Sequence, residues 1–210
     1  MTMHTATTPP LGALVLGIGN LLWADEGFGV RCAEKLAAEW ETPTGVEVMD
    51  GGTQGLYLLP YVQAAQRLLV FDAIDWGLPP GQMKLMRDDE APRFMGAKKM
   101  SLHQTGFQEV LAAAALTGQA PRSLLLIGVQ PLYLDDYGGS LSAPVKARLD
   151  EAVALAAAQL GQWGLPLRRR NAAAAANIND AALAINAYES GRPAAAVASR
   201  IGDARFFPEA

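Results

Sequence analysis

A chain of 210 residues, 50% hydrophobic and 18% charged, is long enough for one well-filled domain and too apolar for global disorder. The formal net charge of −4 argues against a broad nucleic-acid surface, which needs clustered Lys and Arg. A lone cysteine, Cys32, excludes an intrachain disulfide framework, and no apolar run approaches the roughly 20 residues of a membrane helix.

Residues 1–10 are polar and end in Pro9 and Pro10, without the basic and apolar sections of a signal peptide. They read as a flexible N-terminus, and the chain as a cytoplasmic protein. Leu14, Val15 and Leu16 form a short apolar run that predicts a buried strand. Gly17, Ile18, Gly19 and Asn20 then supply turn chemistry. Asp25 is placed to cap a helix over 27–40, whose Val30, Ala33, Ala37 and Trp40 share one face. A second strand is expected at 46–49, closed by Asp50, Gly51 and Gly52. A helix limited by Pro60 follows at 56–62. Leu68, Leu69, Val70 and Phe71 predict a third buried strand, ending at Asp72.

Beyond the turn at Pro79, Pro80 and Gly81, residues 82–87 suit an extra strand. A helix is expected over 104–117, a strand over 123–129 and one helix over 142–160. Strands alternating with helices imply a single three-layer α/β domain, with a mainly parallel twisted sheet covered by helices on both faces. After Leu167 the sequence becomes Ala-rich, so 168–210 reads as a mobile tail and the triplet Arg168, Arg169 and Arg170 as a solvated terminus. No heptad seam is present, so a monomer is expected.

Several residues have chemical potential, each with a plain alternative. The loop at Gly17 and Gly19, with Asp50 beyond, suggests nucleotide binding. Leu22 replaces the third glycine of that fingerprint, however, and Asp25 and Glu26 would repel a pyrophosphate. Asp25 suits a helix cap; one cap suffices, which leaves Glu26 less explained. Asp72 ends a buried strand, at the sheet edge where ligands bind; Asp75, three residues on, is a local alternative. His103 precedes a predicted helix and is either a polar cap or a ligand; the other histidine, His4, lies in the flexible start. Glu26, Asp72 and His103 can converge on one edge of a parallel sheet. Two carboxylates and an imidazole suit a divalent transition metal. Cys32 lies within a helix pattern and reads as a small core residue.

Five separated segments together resemble the nickel–iron hydrogenase maturation endopeptidases, in that family's order. They are 17–31, with Asp25-Glu26-Gly27 at its centre; 50–56, with Asp50-Gly51-Gly52; 71–75, with Phe71-Asp72; 98–104, with Ser101-Leu102-His103; and 134–142, with Asp135-Asp136-Tyr137. The resemblance spans roughly 14–167, and Trp23 and the 135–142 segment look most like the uptake-hydrogenase branch. It implies a peptidase domain at 11–167 and an enzyme that removes the C-terminal extension of the hydrogenase large-subunit precursor. It further implies Glu26, Asp72 and His103 as metal ligands, with Asp72 and Glu26 the candidate catalytic groups of an aspartyl-type endopeptidase. The metal it implies is nickel, supplied by the substrate. The rival classes are a non-catalytic chaperone of the precursor and a nucleotide-binding domain.

Overall fold

The computed structural model describes residues 11–88, 90–91, 102–171 and 177–192. The proposed flexible start 1–10, the Lys98-to-Ser101 part of the histidine motif and most of the Ala-rich tail lie outside the described residues. So do the side chains of 102–104.

Short continuous runs of apolar residues suit strands that are covered on both faces. β1 (Ala13–Ile18), β4 (Arg67–Ala73) and β6 (Ser123–Val129) are such runs, and β1 is buried along its whole length. With β3 (Val46–Gly52) and β5 (Met83–Arg87) they form one sheet in the order β3-β1-β4-β6-β5. All neighbours are parallel except β5, which runs antiparallel to β6 on the edge. Alternate side chains enter two cores. Val15, Leu69, Phe71 and Ile127 pack against α1 (Phe28–Glu39) and α5 (Leu149–Gln162). Leu14, Leu16, Val70 and Leu126 pack against α2 (Leu59–Ala64) and α3 (Leu102–Leu116). This is the expected α/β architecture with helices on both faces.

The helix expected over 142–160 is broken. It forms α4 (Ala143–Lys146) and α5, separated at Ala147 and Arg148. Arg148 N–H bonds the Val145 carbonyl at 2.9 Å, a tight i→i+3 turn, and Arg148 has φ −94° and ψ −8°, outside regular helix geometry.

The basic triplet is engaged with the domain rather than solvated throughout. Arg168 and Arg169 form β7 (Arg168–Arg169), antiparallel to β2 (Trp40–Glu41). Arg169 pairs with Glu39 at 2.8 Å, and Arg170 Nε donates to the Ala37 and Trp40 carbonyls at 3.0 Å each. Cations satisfy free carbonyls and suit the dipole at a helix C-terminus, here that of α1. Further on, 177–192 holds a 3-10 turn (Ala181–Leu183) and α6 (Ile185–Gly191), with Ile185 packed on the core. Among the described residues no helix is long and apolar enough to cross a membrane.

One close contact seats α1 on the sheet. A methyl group at Gly29 would lie 2.2 Å from the carbonyl oxygens of both Ile18 and Phe71, and one at Gly17 would lie 2.4 Å from the Gly29 carbonyl oxygen. Only glycine lets the first turn of α1 rest on the carboxyl ends of β1 and β4. Gly29→Ala should therefore lower the unfolding free energy by roughly 3 kcal/mol, read as a lower urea midpoint at unchanged slope.

Candidate active site at the carboxyl edge of the sheet

From β1 the chain passes through α1 to β3 on one side, then returns through α2 to β4 on the other. The neighbours β1 and β4 thus flank the point where strand order reverses, which opens a crevice at their carboxyl ends. Gly17 of β1 pairs in register with Phe71 of β4, so the next residues of the two strands, Ile18 and Asp72, begin that edge together.

Glu26 reaches this edge from the 3-10 turn Ala24–Gly27, which packs against β4. Gly19, at φ +132°, makes the approach possible: a methyl group there would lie 1.8 Å from the Glu26 carbonyl oxygen. Glu26 is half-buried. Asp72 is fully buried, and its Oδ1 accepts from the Ala73 N–H at 2.8 Å. By strand alternation Asp72 belongs to the face covered by α2 and α3.

His103 lies in the first turn of α3. One turn on, Gly106 approaches Gly55 in the 3-10 turn Gly55–Leu58 that follows β3, where a methyl group at Gly106 would lie 3.3 Å from the Gly55 Cα. The amino end of α3 therefore sits over the same carboxyl edge. The His103 imidazole is outside the described residues, and among the described residues no three His, Cys, Asp or Glu side chains form a metal-holding group.

Asp25 does not cap a helix. Neither the 3-10 turn nor α1 has a side-chain cap at its amino end. The fully buried Asp25 carboxylate instead accepts from Leu132 N–H (2.8 Å), Tyr133 N–H (2.9 Å), Ser142 N–H (2.6 Å) and the Ser142 hydroxyl (2.8 Å). It fastens the long loop after β6 to the turn that carries Glu26. Gly138 N–H adds a bond to the Leu22 carbonyl at 2.7 Å, and the Trp23 and Tyr137 rings meet edge to face at 5.4 Å. The donors lie more than 100 positions away in sequence, so no local pattern marks them.

The remaining candidates take supporting places. Asp75 Oδ1 accepts from Gly77 N–H and from buried Gln130 Nε2, both at 2.9 Å. Gln130 Oε1 also accepts from Trp76 and Leu78 N–H, so this pair braces the segment after β4. Asp50 Oδ2 accepts from Asn179 Nδ2 at 2.9 Å, and burial pushes its carboxyl above the ordinary range. With Oδ2 held by Asn179, Asp50 gives no support to nucleotide binding. Cys32 is fully buried in the core, and burial pushes its thiol well above the usual value, against any role as nucleophile.

Fold and site together define an α/β enzyme of the doubly wound type, with an acidic crevice at its topological switch point. The family model for HycI, hydrogenase maturation protease, matches residues 30–159. The hydrogenase expression/formation protein HoxM of Azotobacter vinelandii is 58% identical over 196 residues, covering 93% of this chain and 94% of that protein. The hydrogenase maturating endopeptidase HybD from E. coli superimposes with a TM-score of 0.72 at 38% identity, over 76% of this chain and 98% of HybD. The NiFe hydrogenase maturation protease HybD from Thermococcus kodakarensis gives 0.57 at 29% identity, over 69% and 96%. The chain belongs to the hydrogenase maturation protease family.

Replacing Asp25 by Asn sets an NH2 group against donors it cannot accept from. Asp25→Asn should cost about 3 kcal/mol of stability and speed amide exchange at 132–142, whereas Ser142→Ala, which keeps the backbone donors, should cost about 1 kcal/mol. Denaturant titration and exchange mass spectrometry check both. Cys32 should resist thiol reagents in the native protein and react only on unfolding.

Proposed function

We propose that this chain is a metal-dependent endopeptidase that removes the C-terminal extension of a nickel-loaded hydrogenase large-subunit precursor. What supports the reading is the backbone placement: the Glu26 turn packs against β4, which carries Asp72, and the first turns of α3, which carries His103, approach the 3-10 turn that follows β3. The maturation proteases reported above supply the reaction class.

Two carboxylates and one imidazole are donors that a divalent transition metal accepts, yet they are few for holding it alone. In this reading nickel arrives as cargo of the precursor, and Glu26, Asp72 and His103 recognise it there. Cleavage then tests whether metal has been inserted, since the site is complete only when the loaded precursor brings it. Bound nickel would supply Lewis acidity toward a carbonyl or a water. Asp72 and Glu26 are the candidate bases for the attacking water, as an aspartyl-type enzyme requires. The enzyme acts as a cytoplasmic monomer that meets the precursor as a second chain.

Mass measurement of nickel-loaded and nickel-free precursor after incubation tests this. Only the loaded form should shorten; equal cleavage of both forms ends the checkpoint idea, and a bound but uncut precursor identifies a chaperone instead. His103→Ala should abolish binding of the loaded form. Asp72→Asn, scored separately for binding and cutting, distinguishes a ligand, which loses both, from a base, which loses cutting by about 100-fold or more and keeps binding.

A further inference from the structure

The segment 177–192 crosses the α1 side of the domain and is fastened at three places. Asn179 Nδ2 donates to Asp50 Oδ2 at 2.9 Å and to Glu34 Oε1 of α1 at 3.0 Å. Arg31 of α1, only 4% exposed, donates to the Leu183 carbonyl and to Glu34 at 2.7 Å, and lies 5.5 Å from the Tyr188 ring centre. Glu189 accepts from the Ser140 hydroxyl and from Lys146 Nζ, both at 2.8 Å.

The outer two fastenings fall on opposite sides of the crevice. Asp50 lies near the carboxyl end of β3, the neighbour of β1; Ser140 lies in the loop after β6, the neighbour of β4. Each region also touches the segment that leads to Glu26. Gly19 N–H bonds the Gly52 carbonyl at 3.0 Å on one side, and Gly138 N–H bonds the Leu22 carbonyl on the other. The strap therefore spans the end of β3 and the loop after β6, the two segments bonded to the stretch that leads to Glu26. Arg31 and Ile185 fix its middle on α1 and the core. Segments at a sheet edge open locally unless cross-linked, and the strap adds outer ties to those that Asp25 makes with Leu132 and Ser142 and that β1 makes with the end of β3.

We propose that this strap is a clamp that sets the spacing between segment 50–55, the end of β3 with the turn after it, and loop 136–142 for receiving the precursor's peptide, with Asn179 and Glu189 as its positioning residues. Its effect on cleavage rests on the peptidase reading above; its effect on the two segments does not. Lys146 beside Glu189 holds that carboxyl below the ordinary range, so Glu189 stays ionised at neutral pH.

The test uses the full-length protein in two arms. In the double variant Asn179→Ala, Glu189→Ala, amide exchange at 50–55 and 136–142 should rise about tenfold while β1 and β4 exchange as before. Glu189→Lys alone should speed exchange at 136–142, and adding Lys146→Glu, which restores the pair with reversed charge, should slow it again. With precursor as substrate, the double variant should raise KM roughly three- to tenfold at near-normal kcat. Unchanged exchange in both segments overturns the clamp. So does an equal rise throughout the sheet, which marks general loss of stability, or a failure of the reversed pair to rescue. If the unaltered protein leaves every precursor uncut, the peptidase reading falls while the exchange arm still decides the clamp.

Discussion

The whole arrangement depends on a backbone contact with no side chain in it. Gly29 lies against the carbonyls of Ile18 and Phe71, so α1 begins directly on the carboxyl ends of the two central strands. The 3-10 turn that precedes α1 is thereby held at the switch point, and with it Glu26. A Cβ at that position would lift the helix, and the turn would move with it. Site geometry here is set by packing density, since a rigid interior transmits even a small displacement.

Adjacent carboxylates divide two tasks. Asp25 is fully buried, and burying a charge is costly unless donors surround it. Four donors from the loop after β6 do so, which converts an expensive group into a tie between distant segments. Glu26, half-buried, sits on the turn that packs against β4. The tie defines where the long loop stands relative to Glu26, and the strap from 177–192 braces the same loop from outside. On the proposed checkpoint reading such rigidity matters, because a site completed by its substrate discriminates only when its own share is already in position.

Much of the fold was legible in the chain. The apolar runs at 14–16, 68–71 and 123–129 are buried parallel strands, and the helix stripe of Val30, Ala33 and Ala37 faces the core. These succeed because hydrophobic periodicity is local and buried strands have little alternative. The helix break at Ala147 and Arg148 was not legible, since no Gly or Pro marks it. The contacts of Arg169 and Arg170 with the end of α1 were hidden for a different reason: a basic triplet carries no record of which carbonyls it will meet.

For the site, the sequence alone determined the residue types, their order and the strand ends from which Glu26 and Asp72 emerge. It also carried the glycines, whose absence of a side chain is a property of composition. Only the tertiary structure decided what Asp25, Asp75, Asp50 and Asn179 do. Asp25 is a buried tie and no helix cap; Asp75 is a brace held by Gln130; Asp50 is bound to Asn179 in the strap. Short-range signals such as caps and turns are written within a few residues. A carboxylate's distant donors are chosen by strand order and loop closure, and the side-chain donors to Asp75 and Asp50 lie 55 and 129 residues away.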